Sequence, residues 1–126
     1  MKGYLRGMQH IGLPTASVPD TVAFYKELGF EVIHEKRIGD ADVAFLELNG
    51  FVIETYTSDA LAGKAGAIDH FTIDVSDIDE CFKIAKDRGY NILDGGGINE
   101  LPFFNGVRFF IVEGVNKERI EFNQKL

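Results

Sequence analysis

Lys26-Glu27-Leu28-Gly29-Phe30-Glu31-Val32-Ile33 returns sixty residues later as Lys86-Asp87-Arg88-Gly89-Tyr90-Asn91-Ile92-Leu93. The same shift, without a gap, lays His10-Ile11-Gly12-Leu13 over His70-Phe71-Thr72-Ile73 and Ser17-Val18 over Asp77-Ile78. A register held over so many positions is that of a tandem repeat, and the fold is therefore expected to consist of two copies of one supersecondary unit.

Working outward, each copy predicts the same element order. Residues 8–13 read as a short strand. Ser17, Pro19 and Asp20 then form a helix start, with a capping hydroxyl, a proline in the first turn and an acid near the positive end of the dipole. Val18, Val22, Tyr25 and Leu28 recur at helical spacing, and Gly29 stops the helix. Strands follow near 31–36 and 43–48, and Asn49-Gly50 predicts a type I′ turn into a strand at 51–57. The second copy predicts a strand at 69–75, a helix over about 77–88 with Ile78, Phe82 and Ala85 inward and Gly89 as its stop, and strands near 90–94, 107–113 and 118–123. It differs by an insertion at Gly95-Gly96-Gly97-Ile98-Asn99-Glu100-Leu101-Pro102-Phe103-Phe104, which reads either as a lid or binding loop or as a plain connector. The expected class is α+β, with two tandem βαβββ modules, about 8–57 and 68–123, in a single domain spanning 1–126.

The chain has 126 residues, 45% of them hydrophobic, and a formal charge of −7. That balance offers no basic footprint for nucleic acid or an anionic membrane. One cysteine allows no internal disulfide, no apolar run is long enough to span a bilayer, and the first residues lack the apolar core of a signal peptide. A cytoplasmic protein without membrane or nucleic-acid partners is expected.

A two-residue turn at Asn49-Gly50 pairs Phe45 with Glu54 and Glu47 with Val52. Phe45, Glu47, Val52, Glu54 and Tyr56 then share one face, while the oilier Ala44, Leu46, Leu48, Phe51 and Ile53 face the helices. Glu54 thus stands in an apolar strand on the face away from the helices, and Glu121, between Ile120 and Phe122, does the same. A carboxylate so placed is costly to bury unless it is paired or holds a cation. Each copy therefore supplies one histidine and one glutamate at equivalent places: His10 with Glu54, and His70 with Glu121. Two imidazoles and two carboxylates suit one borderline divalent cation, such as Ni²⁺, Zn²⁺, Co²⁺, Mn²⁺ or Fe²⁺, and leave positions open for water or substrate. His34, matched by Asp94, reads as a surface residue, and Cys81 as a small buried hydrophobe. Glu47 and Arg119 read either as an acid/base and an anion contact or as solvated strand residues. Phe103, Phe104, Phe109 and Phe110 read as core, the alternative being an aromatic cage.

Gln9-His10-Ile11-Gly12, Ala23-Phe24-Tyr25-Lys26-Glu27-Leu28-Gly29-Phe30, Val52-Ile53-Glu54, Ile68-Asp69-His70-Phe71 and Arg119-Ile120-Glu121-Phe122 together resemble the vicinal oxygen chelate superfamily. That superfamily includes glyoxalase I, fosfomycin-resistance proteins, methylmalonyl-CoA epimerase, extradiol dioxygenases and bleomycin-resistance proteins. The resemblance implies a cupped mixed sheet around a metal, a small-molecule substrate and a homodimer. The set His10, Glu54, His70 and Glu121 is similar to that of glyoxalase I, whereas fosfomycin enzymes and dioxygenases lack the ligand that Glu54 would supply. The activity implied is conversion of a 2-oxoaldehyde–thiol hemithioacetal to a 2-hydroxyacyl thioester through a metal-stabilised enediolate, with Glu54 or Glu121 as base. The alternatives are epoxide opening, epimerisation, ring-diol oxygenation or non-catalytic drug binding. Two departures from the family pattern bear on substrate. Gly114-Val115-Asn116-Lys117 stands where Asp-Pro-Asp-Gly is common, and no arginine follows His10.

Overall fold

In the computed structural model, which describes residues 1–126, the chain divides into two units, Met1–Leu61 and Ala62–Leu126. Unit 1 runs β1 (Ile11–Thr15), α1 (Val18–Glu27), β2 (Glu31–Ile38), β3 (Ala41–Leu48) and β4 (Phe51–Thr57). Unit 2 runs β5 (Phe71–Asp74), α2 (Ile78–Asp87), β6 (Asn99–Leu101), β7 (Val107–Glu113) and β8 (Arg119–Lys125). Each unit holds a four-stranded mixed sheet, ordered β1-β4-β3-β2 and β5-β8-β7-β6, with the first-named pair parallel and the rest antiparallel. The fold is α+β, built from two βαβββ modules as the repeat predicts.

The matched helices begin and end by the same chemistry. Ser17 Oγ accepts from the Asp20 N–H at 3.2 Å, and the Asp77 carboxylate accepts from the Glu80 N–H at 3.0 Å. At the other ends Gly29 (φ 102°) and Gly89 (φ 72°) take the left-handed conformation. The following residues, Phe30 and Tyr90, donate back to the Tyr25 and Ala85 carbonyls at 3.0 Å in both units. The Asn49-Gly50 turn has both φ values positive, 48° and 89°, as a type I′ hairpin requires. It sets Phe45 opposite Glu54 and Glu47 opposite Val52. The opposite face of that hairpin is core: Ala44, Leu46 and Ile53 are fully buried under α1, whose Tyr25 is buried with them. In unit 2, Phe110, Val112, Ile120 and Ile78 occupy the same layer, with Phe82 of α2 edge-on to Phe110.

Three expectations are corrected. Residues 90–94 do not form a strand. Only Ile92 bridges to Val112, and β6, inside the expected insertion, then pairs with β7 four residues out of register. Asp94, Gly95 and Gly96 are all at positive φ (54°, 93° and 73°), a run that turns the chain away from the sheet. Secondly, β1 and β5 start at Ile11 and Phe71, so both candidate histidines precede their strands. Thirdly, Phe103 and Phe104 are not core. They lie in a single 3₁₀ turn at 60% and 72% exposure, while Phe110 is buried. The turn at Gly114–Glu118 keeps a tight hairpin without the family's glycine, because Lys117 itself adopts φ 66°. A Cβ at Gly114 would lie 1.7 Å from Glu118 Oε1, so any larger residue there would displace the Glu118 side chain.

Candidate metal centre

Parallel pairing places the end of each first strand beside the carboxylate of its last strand. Ile11 is opposite Ile53 and Gly12 opposite Glu54, and Phe71 is opposite Ile120 and Thr72 opposite Glu121. The histidine just before each first strand therefore reaches the glutamate of its own unit. His10 Nε2 is 3.1 Å from Glu54 Oε2, and His70 Nε2 is 3.4 Å from Glu121 Oε2. Adjacent ligands at right angles around a cation with bonds of about 2.1 Å are separated by about 3 Å, so both spacings suit neighbouring positions on one ion. Within each unit no three His, Cys, Asp or Glu side chains are grouped as for a metal ion.

Both imidazoles are aimed by their other nitrogen. His10 Nδ1 is 3.0 Å from Gln9 Oε1, and His70 Nδ1 is 2.8 Å from Asp69 Oδ2. A ring whose Nδ1–H is held by an oxygen presents the Nε2 lone pair outward, the arrangement of metal-ligating histidines. The donor set thus fits a borderline divalent cation. This support was present in the sequence as Gln9 and Asp69, each directly before a repeat-matched histidine, but its role emerges only with the geometry.

The two pairs differ in how firmly they are held. Glu121 is 9% exposed and accepts from Asn123 Nδ2 at 2.8 Å through Oε1. The side chain of Glu54 is 26% exposed, against 12% for that of Glu121, and its one polar contact is with His10. In unit 2 a chain of contacts continues behind the histidine. Arg119 is bonded through two nitrogens to Asp94, and its Nε lies 3.4 Å from Asp69 Oδ2. His70 and then Arg119 hold the Asp69 carboxyl below the usual carboxylate range, against a partial desolvation cost. Arg119 therefore supports Asp69 and is engaged on both sides. If His70 ligates a cation, replacing Asp69 with alanine should lower Ni²⁺ affinity by about 10–100-fold, and replacing Arg119, one contact further back, should lower it less, as read by isothermal titration.

The remaining candidates are peripheral. His34 is exposed, its ring edge-on to Phe45 at 5.9 Å, and Phe45 also meets His10 at 5.7 Å. Cys81 is half-buried, and burial followed by the nearby Asp77 and Glu80 carboxylates pushes its thiol up, away from reactivity. Glu47 lies opposite Glu31 and Val52, on the Glu54 face.

Residues 7–110 match the family model of the Glyoxalase/Bleomycin resistance protein/Dioxygenase superfamily, and the chain belongs to that superfamily. A glyoxalase family protein from Enterococcus faecalis superposes with a TM-score of 0.79 at 19% identity, over 95% of this chain and 98% of that one. A glyoxalase/bleomycin resistance protein/dioxygenase from Alicyclobacillus acidocaldarius gives 0.71 at 20% identity, over 96% and 92%. The fosfomycin resistance protein FosX from Listeria monocytogenes, complexed with Mn(II) and sulfate, gives 0.76 at 16% identity, over 97% and 94%. No curated protein sequence matches the chain. No helix is long and apolar enough to cross a membrane.

Proposed function

We propose that His10, Glu54, His70 and Glu121 together hold one divalent cation, and that the two modules act as one domain catalysing glyoxalase I-like isomerisation. The observation that carries this reading is the duplicated pair: in each unit an imidazole Nε2 and a glutamate oxygen meet at 3.1 or 3.4 Å, with Nδ1 fixed from behind. Membership of a superfamily rich in metal enzymes supports it, as does Mn(II) in the Listeria FosX structure. Ni²⁺, Zn²⁺, Co²⁺, Mn²⁺ and Fe²⁺ all accept such nitrogen and oxygen donors.

A bound cation supplies Lewis acidity toward adjacent oxygens of the substrate. The chain's own contribution is proton movement. Glu54, lacking a second anchor, removes the proton beside the carbonyl of a 2-oxoaldehyde–thiol hemithioacetal and returns it to the neighbouring carbon, giving a 2-hydroxyacyl thioester. Glu121, tied to Asn123, keeps its position throughout. Fosfomycin-type chemistry is the second reading, favoured by the fold likeness to FosX. Glu54 speaks against it, since fosfomycin enzymes lack a ligand at that place.

The test is turnover of methylglyoxal by the Ni²⁺- or Zn²⁺-loaded protein with several thiols. Thioester formation is expected with at least one thiol. Its absence with every thiol, in protein that holds metal, would remove the glyoxalase assignment. We further propose a homodimer, because modules of this size leave apolar surface to cover. Light scattering at micromolar concentration should give twice the chain mass.

A further inference from the structure

Glu121 also lines a cleft of about 640 Å³ within unit 2, whose lining includes Phe103, Phe104 and Lys125. The β8 face that carries Glu121 continues through Asn123 to Lys125, which at about 3.3 Å per residue lies about 13 Å further along the strand. Lys125 Nζ is 4.5 Å from the centre of the Phe104 ring, which places that ring at the same end of the cleft.

Phe104 reaches this position against its backbone preference, at φ 50° and ψ 42°, followed by Asn105 at φ 68° and Gly106 at φ 115°. A bulky side chain in the left-handed region is a true outlier. The turn is nonetheless held. The Leu126 N–H donates to the Gly106 carbonyl at 3.0 Å, and Leu126 packs so closely that a Cβ on Gly106 would come within 3.2 Å. The outcome is two adjacent phenylalanines, 60% and 72% exposed, lining the same cleft as the candidate ligand Glu121. Strain and solvent-facing aromatic surface fixed at one turn beside a site point to a ligand that covers them.

We propose that the Phe103–Phe104 turn is the tail subsite of the candidate metal centre. Its substrate carries an aromatic or other flat apolar group several bonds away from its two adjacent oxygens, and that group lies on Phe104. The inference rests on the metal-site reading, because Glu121 fixes where the oxygen end sits. It deepens that reading by favouring elongated substrates over very small ones.

Two hydroxamates with one chelating head separate the two ideas. Acetohydroxamate ends in a methyl group, and 3-phenylpropanohydroxamate places a ring two methylenes beyond the head. Titrated calorimetrically into the Ni²⁺-loaded full chain, the phenyl compound should bind about tenfold tighter, as expected for an aromatic contact with its apolar burial. Combining Phe104→Asn, which tolerates the left-handed backbone, with Phe103→Ala should erase that preference and leave Ni²⁺ and acetohydroxamate affinities unchanged. Equal binding of both compounds by the parent, or a preference that survives in the double variant, overturns the tail subsite while the metal reading stands. Failure of the parent to hold Ni²⁺ overturns the metal reading and the tail subsite with it.

Discussion

Glu54→Gln is expected to cut turnover by about 10²–10⁴-fold, the contribution of a positioned base, while most of the bound metal stays in place. The amide oxygen can still coordinate, but it cannot accept the proton. The expectation follows from the asymmetry between two glutamates that the repeat makes equivalent. Glu121 is tied to Asn123 at 2.8 Å and almost fully buried, whereas Glu54 is more exposed and contacts His10. At Glu121 the same substitution disturbs the Asn123 contact as well as the ligand, so metal affinity and turnover should fall together. Elemental analysis beside steady-state rates for both variants reads the difference. Unaltered turnover in Glu54→Gln with collapse in metal-loaded Glu121→Gln would exchange the roles, and full activity in both would refute carboxylate base catalysis.

His10→Ala and His70→Ala are each expected to weaken Ni²⁺ binding by more than the roughly 10–100-fold that follows loss of an outer-shell partner. Each variant deletes a ligand rather than its support. Gln9 in unit 1 and Asp69 in unit 2 hold the imidazoles in the same sense. Both losses should therefore be severe, with the larger at His70, whose ring is held by a charged carboxylate rather than a neutral amide. Calorimetry on the two variants and the parent measures this. A variant that binds Ni²⁺ as tightly as the parent would remove that histidine from the set.

Much of this architecture was legible because it rests on local chemistry. The Ser17 and Asp77 caps, the Gly29 and Gly89 stops and the Asn49-Gly50 turn are each decided within a few residues, and the hairpin register that sets Glu54 opposite Phe45 follows from that turn alone. The two His and two Glu stand out in the sequence because they recur at equivalent places in the repeat, and each histidine meets the glutamate of its own unit. What was not legible depends on distant partners. Arg119 meets Asp94 and Asp69 across 25 and 50 positions of chain, and nothing local to Arg119 indicates that it braces a histidine. The edge of the second sheet was misread because Ile92 and Leu93 have strand character, while the run of positive φ from Asp94 to Gly96 breaks the ladder. Phe103 and Phe104 read as core from their apolar character, whereas Pro102 and the left-handed turn after it hold both rings outward.

The proposed single centre held by two half-sites is tested most directly by the metal stoichiometry of the full chain. Elemental analysis of protein saturated with Ni²⁺ and freed of excess should give one ion per chain, whether the four ligands come from one copy or are exchanged between two. Either His70→Ala or Glu54→Ala should reduce that value toward zero. Two ions per chain, each lost independently when one pair is disrupted, would show that His10–Glu54 and His70–Glu121 act separately and would contradict the account.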